Sequence, residues 1–261
     1  MRNFFLPICL TIFFSVESLA MTIPRPEKYG QVILDNYSTR ADMSPVVFDH
    51  WLHRAMFTCR LCHVDIGFAM EGRATKISAE NNRNGLYCGA CHNGTRVHAG
   101  KAVFAACSDI VTDADKERCG KCHSLGKKAI REYNYITFSE KLPKRTFGGM
   151  IDWEEAEAKG IIKPTDFLEG VSVKRPPLKM EQELSIESKV TWMSDVLFSH
   201  KKHAVWNGCE VCHPEIFPSV KKGTVKYTML QISSGQYCGN CHGYVAFPLF
   251  ECGRCHTKSV L

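Results

Sequence analysis

Past residue 20 this 261-residue sequence has no apolar stretch near the length, about 20 residues, that a membrane-spanning helix needs. From residue 124 to residue 199 it also lacks any cysteine or histidine, so that span can offer no imidazole or thiolate to a metal. Neither sign of charge dominates, with 33 Lys and Arg against 27 Asp and Glu. The one strongly apolar segment lies at the start. Arg2 precedes an apolar run over 4–14, broken only by Pro7 and Thr11, and Ser18-Leu19-Ala20 offers small residues for cleavage. This predicts a signal peptide over 1–20, cut after Ala20, and a mature protein outside the cytoplasm. A lipid anchor on Cys9 is the competing reading, but Cys9 lies inside the apolar run rather than after it.

What is abundant is cysteine, fourteen in all. Many cysteines in an exported chain ordinarily mean a disulfide framework. The spacing points elsewhere. Twelve of the fourteen form six Cys-x-x-Cys-His runs. These are Cys59/Cys62/His63, Cys88/Cys91/His92 and Cys119/Cys122/His123, then Cys209/Cys212/His213, Cys238/Cys241/His242 and Cys252/Cys255/His256. Each is the attachment signature of a c-type haem. Two thiols add across the vinyl groups on one porphyrin edge, and two intervening residues make roughly one turn, so both sulfurs reach that edge. The next residue turns its imidazole to the iron as proximal ligand. Paired Cys-x-x-Cys can instead hold structural zinc. Six such pairs, each followed directly by histidine behind an export signal, argue for six covalent haems. Short Cys-x-x-Cys disulfides suit catalytic redox proteins rather than structural ones.

The motifs fall into two groups of three. Val46-Val47-Phe48-Asp49-His50-Trp51-Leu52-His53 matches Val196-Leu197-Phe198-Ser199-His200-Lys201-Lys202-His203, an offset of 150 held without a gap to His92 and His242. Gly85-Leu86-Tyr87-Cys88-Gly89 pairs likewise with Gly235-Gln236-Tyr237-Cys238-Gly239. The register breaks before the third motif, with twenty-six residues between His92 and Cys119 but nine between His242 and Cys252. Five histidines lie outside the motifs: His50, His53, His98, His200 and His203. Phe-x-His-x-x-His puts two imidazoles three residues apart, on one face of a helix, where each can reach a different haem. Its recurrence upstream of the same motif marks His50, His53, His200 and His203 as distal iron ligands rather than surface histidines. His98, in the insertion, is a candidate for the third haem, against the alternative of a solvated loop residue. The second unit has no spare histidine. Met229 is its candidate, with Met193 behind it, and Ala79 stands opposite Met229 in the first unit. A thioether ligand favours ferrous iron and raises the potential.

Phe-x-His-x-x-His, Cys-x-x-Cys-His, then Tyr-Cys-Gly-x-Cys-His and a later Cys-x-x-Cys-His resemble the triheme cytochrome c7 family, itself similar to the cytochrome c3 group. The resemblance covers roughly 46–125 and 196–258 and implies a multihaem fold with short helices and little regular structure. It implies electron transfer in the periplasm or outside the cell, as in metal- or sulfur-reducing respiration. It also implies that His50 and His53 serve the first and second haems and His200 and His203 the fourth and fifth. In some tandem members the third haem looks His/Met ligated, which favours Met229. The long insertion with His98 and Cys107, and the long link between units, depart from the pattern.

The expected organisation is a signal peptide (1–20), an extended arm (21–45), a triheme unit (46–125), a haem-free connector (126–195) and a second triheme unit (196–261). With about 40 residues per haem, the porphyrins themselves must supply most of the core. In the connector, Asp152-Trp153-Glu154-Glu155 reads as a helix start with a reciprocal acidic cap and Gly160 as its stop, while Pro164, Pro176 and Pro177 punctuate the stretch beyond it. Trp153, Phe167 and Leu168 favour packing across both units over a flexible tether. The charge of +6 survives cleavage, since Arg2 and Glu17 cancel, but two propionates on each haem offset it. It therefore points to no nucleic acid or acidic membrane. The expected partners are redox proteins or an extracellular acceptor. Three functional readings remain: an electron carrier; a self-associating wire or a subunit of an oxidoreductase complex; and a reductase of small oxyanions at an open haem. The last is disfavoured by the four irons expected to be capped by histidine on both sides and by the lack of a Cys-x-x-Cys-Lys motif. Cys107 reads as a buried thiol, with an intermolecular bridge as the alternative.

Overall fold

The computed structural model describes residues 25–258 apart from 109–111, 114, 127–133, 147, 177–181, 219–220 and 222. The expected signal peptide, with Arg2, Cys9 and Ala20, lies outside the described residues, as does Pro177.

Each unit opens on the same device. In the first, strand β1 (Gln31–Leu34) pairs antiparallel with β2 (Val46–Asp49), and helix α1 (His50–Arg54) follows without a break. The β-branched, apolar strand carries the chain to Asp49, and the two histidines three apart then begin one helical turn. Part of the expected arm is thus the partner strand of the first unit. Next come helix α2 (Ala79–Arg83), a hairpin of β3 (Val97–His98) and β4 (Lys101–Ala102), and helix α3 (Asp115–Gly120), which leads into the third motif.

Two helices mark the connector, α4 (Tyr135–Ser139) and α5 (Trp153–Ala158). Asp152 caps α5 by accepting from the Glu155 amide at 3.1 Å. The expected reciprocal half of that cap is absent, because the Glu155 side chain turns forward to Lys159 at 2.5 Å. Gly160, at φ +67°, ends the helix as expected. Leu142, Ile151, Ala156 and Ile162 form a buried apolar cluster here, flanked by Tyr135, Phe138 and Trp153. Ala55 of the first unit and Trp206 of the second pack on the same cluster, so the span without cysteine or histidine touches both.

The second unit repeats the first. Strand β5 (Glu183–Ile186) pairs with β6 (Asp195–Ser199), helix α6 (His200–Asn207) follows, then α7 (Met229–Ser233), and β7 (His256–Lys258) joins the edge of β6. No helix among the described residues is longer than the eight residues of α6. None is long and apolar enough to cross a membrane.

Ion pairs tie the connector to the units. Asp166 accepts from Thr58 and pairs with Arg60, and Arg175 grips Asp65 through two bonds of 2.7 and 2.9 Å. On the other side Arg145 bridges Asp152 and Glu251, and Glu154 pairs with Lys202 and Arg254.

Candidate haem-binding site

The backbone turns tightly across the motifs. The amide of the motif histidine returns to the carbonyl of the first cysteine in four of them: His92 to Cys88 (2.8 Å), His123 to Cys119 (2.9 Å), His213 to Cys209 (3.0 Å) and His242 to Cys238 (2.9 Å). One turn brings both sulfurs of each pair to one side, the geometry that bonding to one porphyrin edge requires. No disulfide joins any of the described cysteines. Burial pushes the thiols of Cys62, Cys88 and Cys241 up to about 12 and that of Cys238 to about 11.

The second motif of each unit sits in a shared backbone trap. Tyr87 and Tyr237 take left-handed conformations, φ +50° and +53°, just before the cysteine. Gly89 and Gly239 then pass so close to the preceding helix that a Cβ would stand 1.8 Å from the carbonyl oxygen of Asn82 or Ile232. Only glycine fits there. Both helices begin with a reciprocal cap, Ser78 with Asn81 and Thr228 with Gln231.

The third motif of each unit is tied to the strand that leads into the histidine pair. The carbonyl of Cys122 accepts from the amide of Val47 at 2.9 Å, and that of Cys255 accepts from the amide of Leu197 at 3.3 Å. Val47 and Leu197 are the same position of the repeat. Cys119 lies in α3, whereas Cys122 lies in the turn after it and is partly buried. The field of Cys122 reaches the thiol of Cys88, as that of Cys255 reaches Cys238, so the second and third attachment sites are neighbours in both units.

Imidazoles face one another across the units. The rings of His50 and His63 lie parallel within 3°, with centroids 6.5 Å apart. His53 faces His92 at 6.2 Å, and His203 faces His242 at 6.1 Å. Two metal–nitrogen bonds of about 2 Å, with about 1 Å more to each ring centre, separate trans imidazoles by about 6 Å. The spacing therefore fits an iron between each pair.

Backbone carbonyls fix the rings. Nδ1 of His50 donates to Gly30 O (2.8 Å), His53 to Asp49 O (3.3 Å), His63 to Phe68 O (2.9 Å) and His203 to Ser199 O (2.8 Å). His213 donates to Phe217 O (2.7 Å) and His242 to Phe247 O (3.3 Å). His123 and His256 donate to the equivalent carbonyls of Ser44 (2.7 Å) and Ser194 (2.6 Å). A carbonyl only accepts, so each Nδ1 carries the proton and Nε2 keeps the lone pair that binds a metal. Burial, with lesser repulsion from the facing imidazole, pushes His50, His53 and His242 down to about 4, so these rings are neutral at neutral pH.

His200 differs from its counterpart. Gly30 O accepts both the amide and the ring of His50, whereas Gln182 O accepts only the amide of His200 (3.2 Å). The buried His200 Nδ1 has no hydrogen-bond partner, and its ring lies edge-on to that of Phe198 at 4.9 Å. The site of Cys119, Cys122 and His123 also departs from the pattern of facing rings. Its expected distal residue, His98, stands exposed on β3, with its ring 5.9 Å from that of Phe57 rather than against His123. The short hairpin of β3 and β4 holds it there, since every residue of both strands is exposed. Met229 is the first residue of α7 and half exposed, and Ala79 holds the same place in α2. Met193 is partly buried, next to Ser194.

The profile of cytochrome c7 and related cytochrome c matches residues 46–124 and 196–257. The chain belongs to this family. It is a multihaem c-type cytochrome, and the family consists of electron-transfer proteins. Among solved structures it is similar to a c7-type three-heme cytochrome domain, 33% identical over 31% of this chain and 95% of that one, with a TM-score of 0.27. It is also similar to the C-terminal hexaheme fragment of a dodecaheme cytochrome c, 24% identical over 91% of this chain and 99% of the fragment (TM-score 0.26). The whole dodecaheme protein is 22% identical, with 92% of this chain and 50% of that one covered (TM-score 0.27). No curated protein matches.

Several site features escaped the sequence reading. The carbonyls of Gly30, Ser44 and Ser194 are invisible as residue types. A signal for the last two was present, since Met43-Ser44 and Met193-Ser194 keep the offset of 150 upstream of the matched block.

Proposed function

We propose that this chain is an exported hexahaem cytochrome that moves electrons between redox partners in the periplasm or outside the cell. The observation that carries this reading is the facing of His50 with His63 at the spacing of trans ligands, repeated by His53 with His92 and His203 with His242. Bound haem supplies reversible one-electron exchange at iron. The chain's own residues do the rest. Six cysteine pairs anchor the groups, and His63, His92, His123, His213, His242 and His256 are the proximal ligands. His50, His53, His200 and His203 take the distal places, with His98 and Met229 assigned to the third and sixth.

The attachment sites of the two units lie close. A Cβ added at Gly208, just before Cys209, would stand 2.5 Å from Cδ of Arg60, which lies between Cys59 and Cys62. Cys59 also falls within electrostatic reach of Cys212 and Cys241. That closeness supports one continuous electron path through both units. A partly buried imidazole facing the motif histidine at three sites, His50, His53 and His203, favours a carrier over a reductase, which needs an open iron.

Paramagnetic resonance of the oxidised holoprotein, with near-infrared absorption, tests the assignment. The expected spectrum is dominated by low-spin bis-histidine haem, with a His/Met charge-transfer band for the sixth. A large high-spin population contradicts the carrier reading, and a purely bis-histidine spectrum removes Met229.

A further inference from the structure

Arg54 ends α1, one residue after His53, and reaches out of its own unit. Its Nη1 donates to the carbonyl of Val245 in the second unit at 2.6 Å. The guanidinium lies 5.0 Å from the ring centroid of Trp153 and 5.0 Å from that of Trp206. One ring belongs to the connector and the other to α6, so the cation is held between aromatic faces from two parts of the chain. Its Nε is buried and has no hydrogen-bond partner. Among the described residues no carboxylate forms an ion pair with it. Aromatic faces stabilise a cation without cancelling its charge, and arginine stays protonated even when burial lowers its pKa.

That charge sits where the units meet. Gly30 and His50 line the same recess as Arg54, together with Val245 and Phe247 of the second unit. The field of Arg54 reaches Cys59 and His50 on one side and Cys241 and His242 on the other. These are residues of the first and fifth attachment sites.

We propose that Arg54 is a positioning residue that sets the potential at this junction, raising the reduction potentials of the first and fifth haem sites together so that electrons crossing between units reside there. The inference rests on the hexahaem reading. Reduction adds one electron to a ferric centre and removes one positive charge. A fixed cation with no ion-pair partner nearby, away from water, favours that change. Arg54 neither gains nor loses a proton. In the test an electrode supplies the electron through soluble mediators.

Spectroelectrochemical titration of holoprotein is the experiment, with intact mass taken on each sample. Arg54→Gln lowers two of six midpoint potentials and leaves four in place, while Arg54→Lys keeps all six. Unchanged potentials in Arg54→Gln overturn the proposal. So does an equal fall of all six, which marks general loosening, or Lys behaving like Gln, which marks the planar group rather than its charge. If Arg54→Gln does not mature, Arg54→Met replaces it, since it also removes the charge while keeping an unbranched side chain between the Trp153 and Trp206 rings; unchanged potentials in that variant overturn the proposal. A mass short of six haems in the unmodified protein is the failure of the hexahaem reading instead.

Discussion

A single atom decides which nitrogen of a histidine here is free for a metal. In eight of the eleven histidines Nδ1 is committed to a backbone carbonyl, which leaves Nε2 to the metal. Removing one such ring should open one iron. In His53→Ala one of six haems is expected to turn high-spin in the paramagnetic resonance spectrum, with the others unchanged. The residue types were legible beforehand, because a covalent motif and a histidine pair at fixed spacing are chemistry written in sequence. The carbonyls that orient them were not, since any residue carries one. Glycine shows the same division. Gly89 and Gly239 could be read as a repeat, but the contact behind the repeat is a clash visible only in three dimensions. Gly239→Ala drives a Cβ to 1.8 Å from the Ile232 carbonyl oxygen and is expected to cost about 1–3 kcal/mol of holoprotein stability. Gly253→Ala, with nothing within 4 Å of the added carbon, serves as its control and should unfold at the unmodified denaturant midpoint.

Among the elements, α1 and α6 were predictable from Phe-x-His-x-x-His, and α5 from Asp152 and Gly160. The strand before each histidine pair was not. Gln31–Leu34 and Glu183–Ile186 fall within spans that read as arm and connector, yet each pairs with the strand that aims the histidines. Short strands carry too little pattern to announce a partner ten or more residues away. Val32→Pro would remove a backbone donor from β1 and strain the ladder opposite Phe48. The expected result is weaker hold on His50, read as partial high-spin conversion at one haem, with the second unit unaffected.

For the molecule as a whole, the buried apolar cluster lies in the span without cysteine or histidine, and charged side chains fasten that span to both units. This division follows from length: with so little chain per porphyrin, protein-only packing is concentrated where no porphyrin is expected. The fastening depends on pH. Burial alone would raise the Asp152 carboxyl, but the Arg145 hydrogen bond and the Glu155 amide outweigh it and hold it below the usual carboxylate range. Glu154 is held low by Lys202. A carboxylate depressed by folding contributes stability that is present above its ordinary pKa and lost as pH falls through its folded one. Limited proteolysis of the connector is therefore expected to be slow at neutral pH and to accelerate below about pH 4. Asp152→Asn should show the fast pattern already at pH 7.

Underneath these scales lies one claim, that every Cys-x-x-Cys-His pair in this chain carries a porphyrin. Intact-mass measurement of protein matured through its own export route tests it most directly. The account predicts a polypeptide heavier by six haems, unmoved by acid or organic extraction. A colourless protein of bare polypeptide mass, or one whose thiols hold zinc, would contradict it.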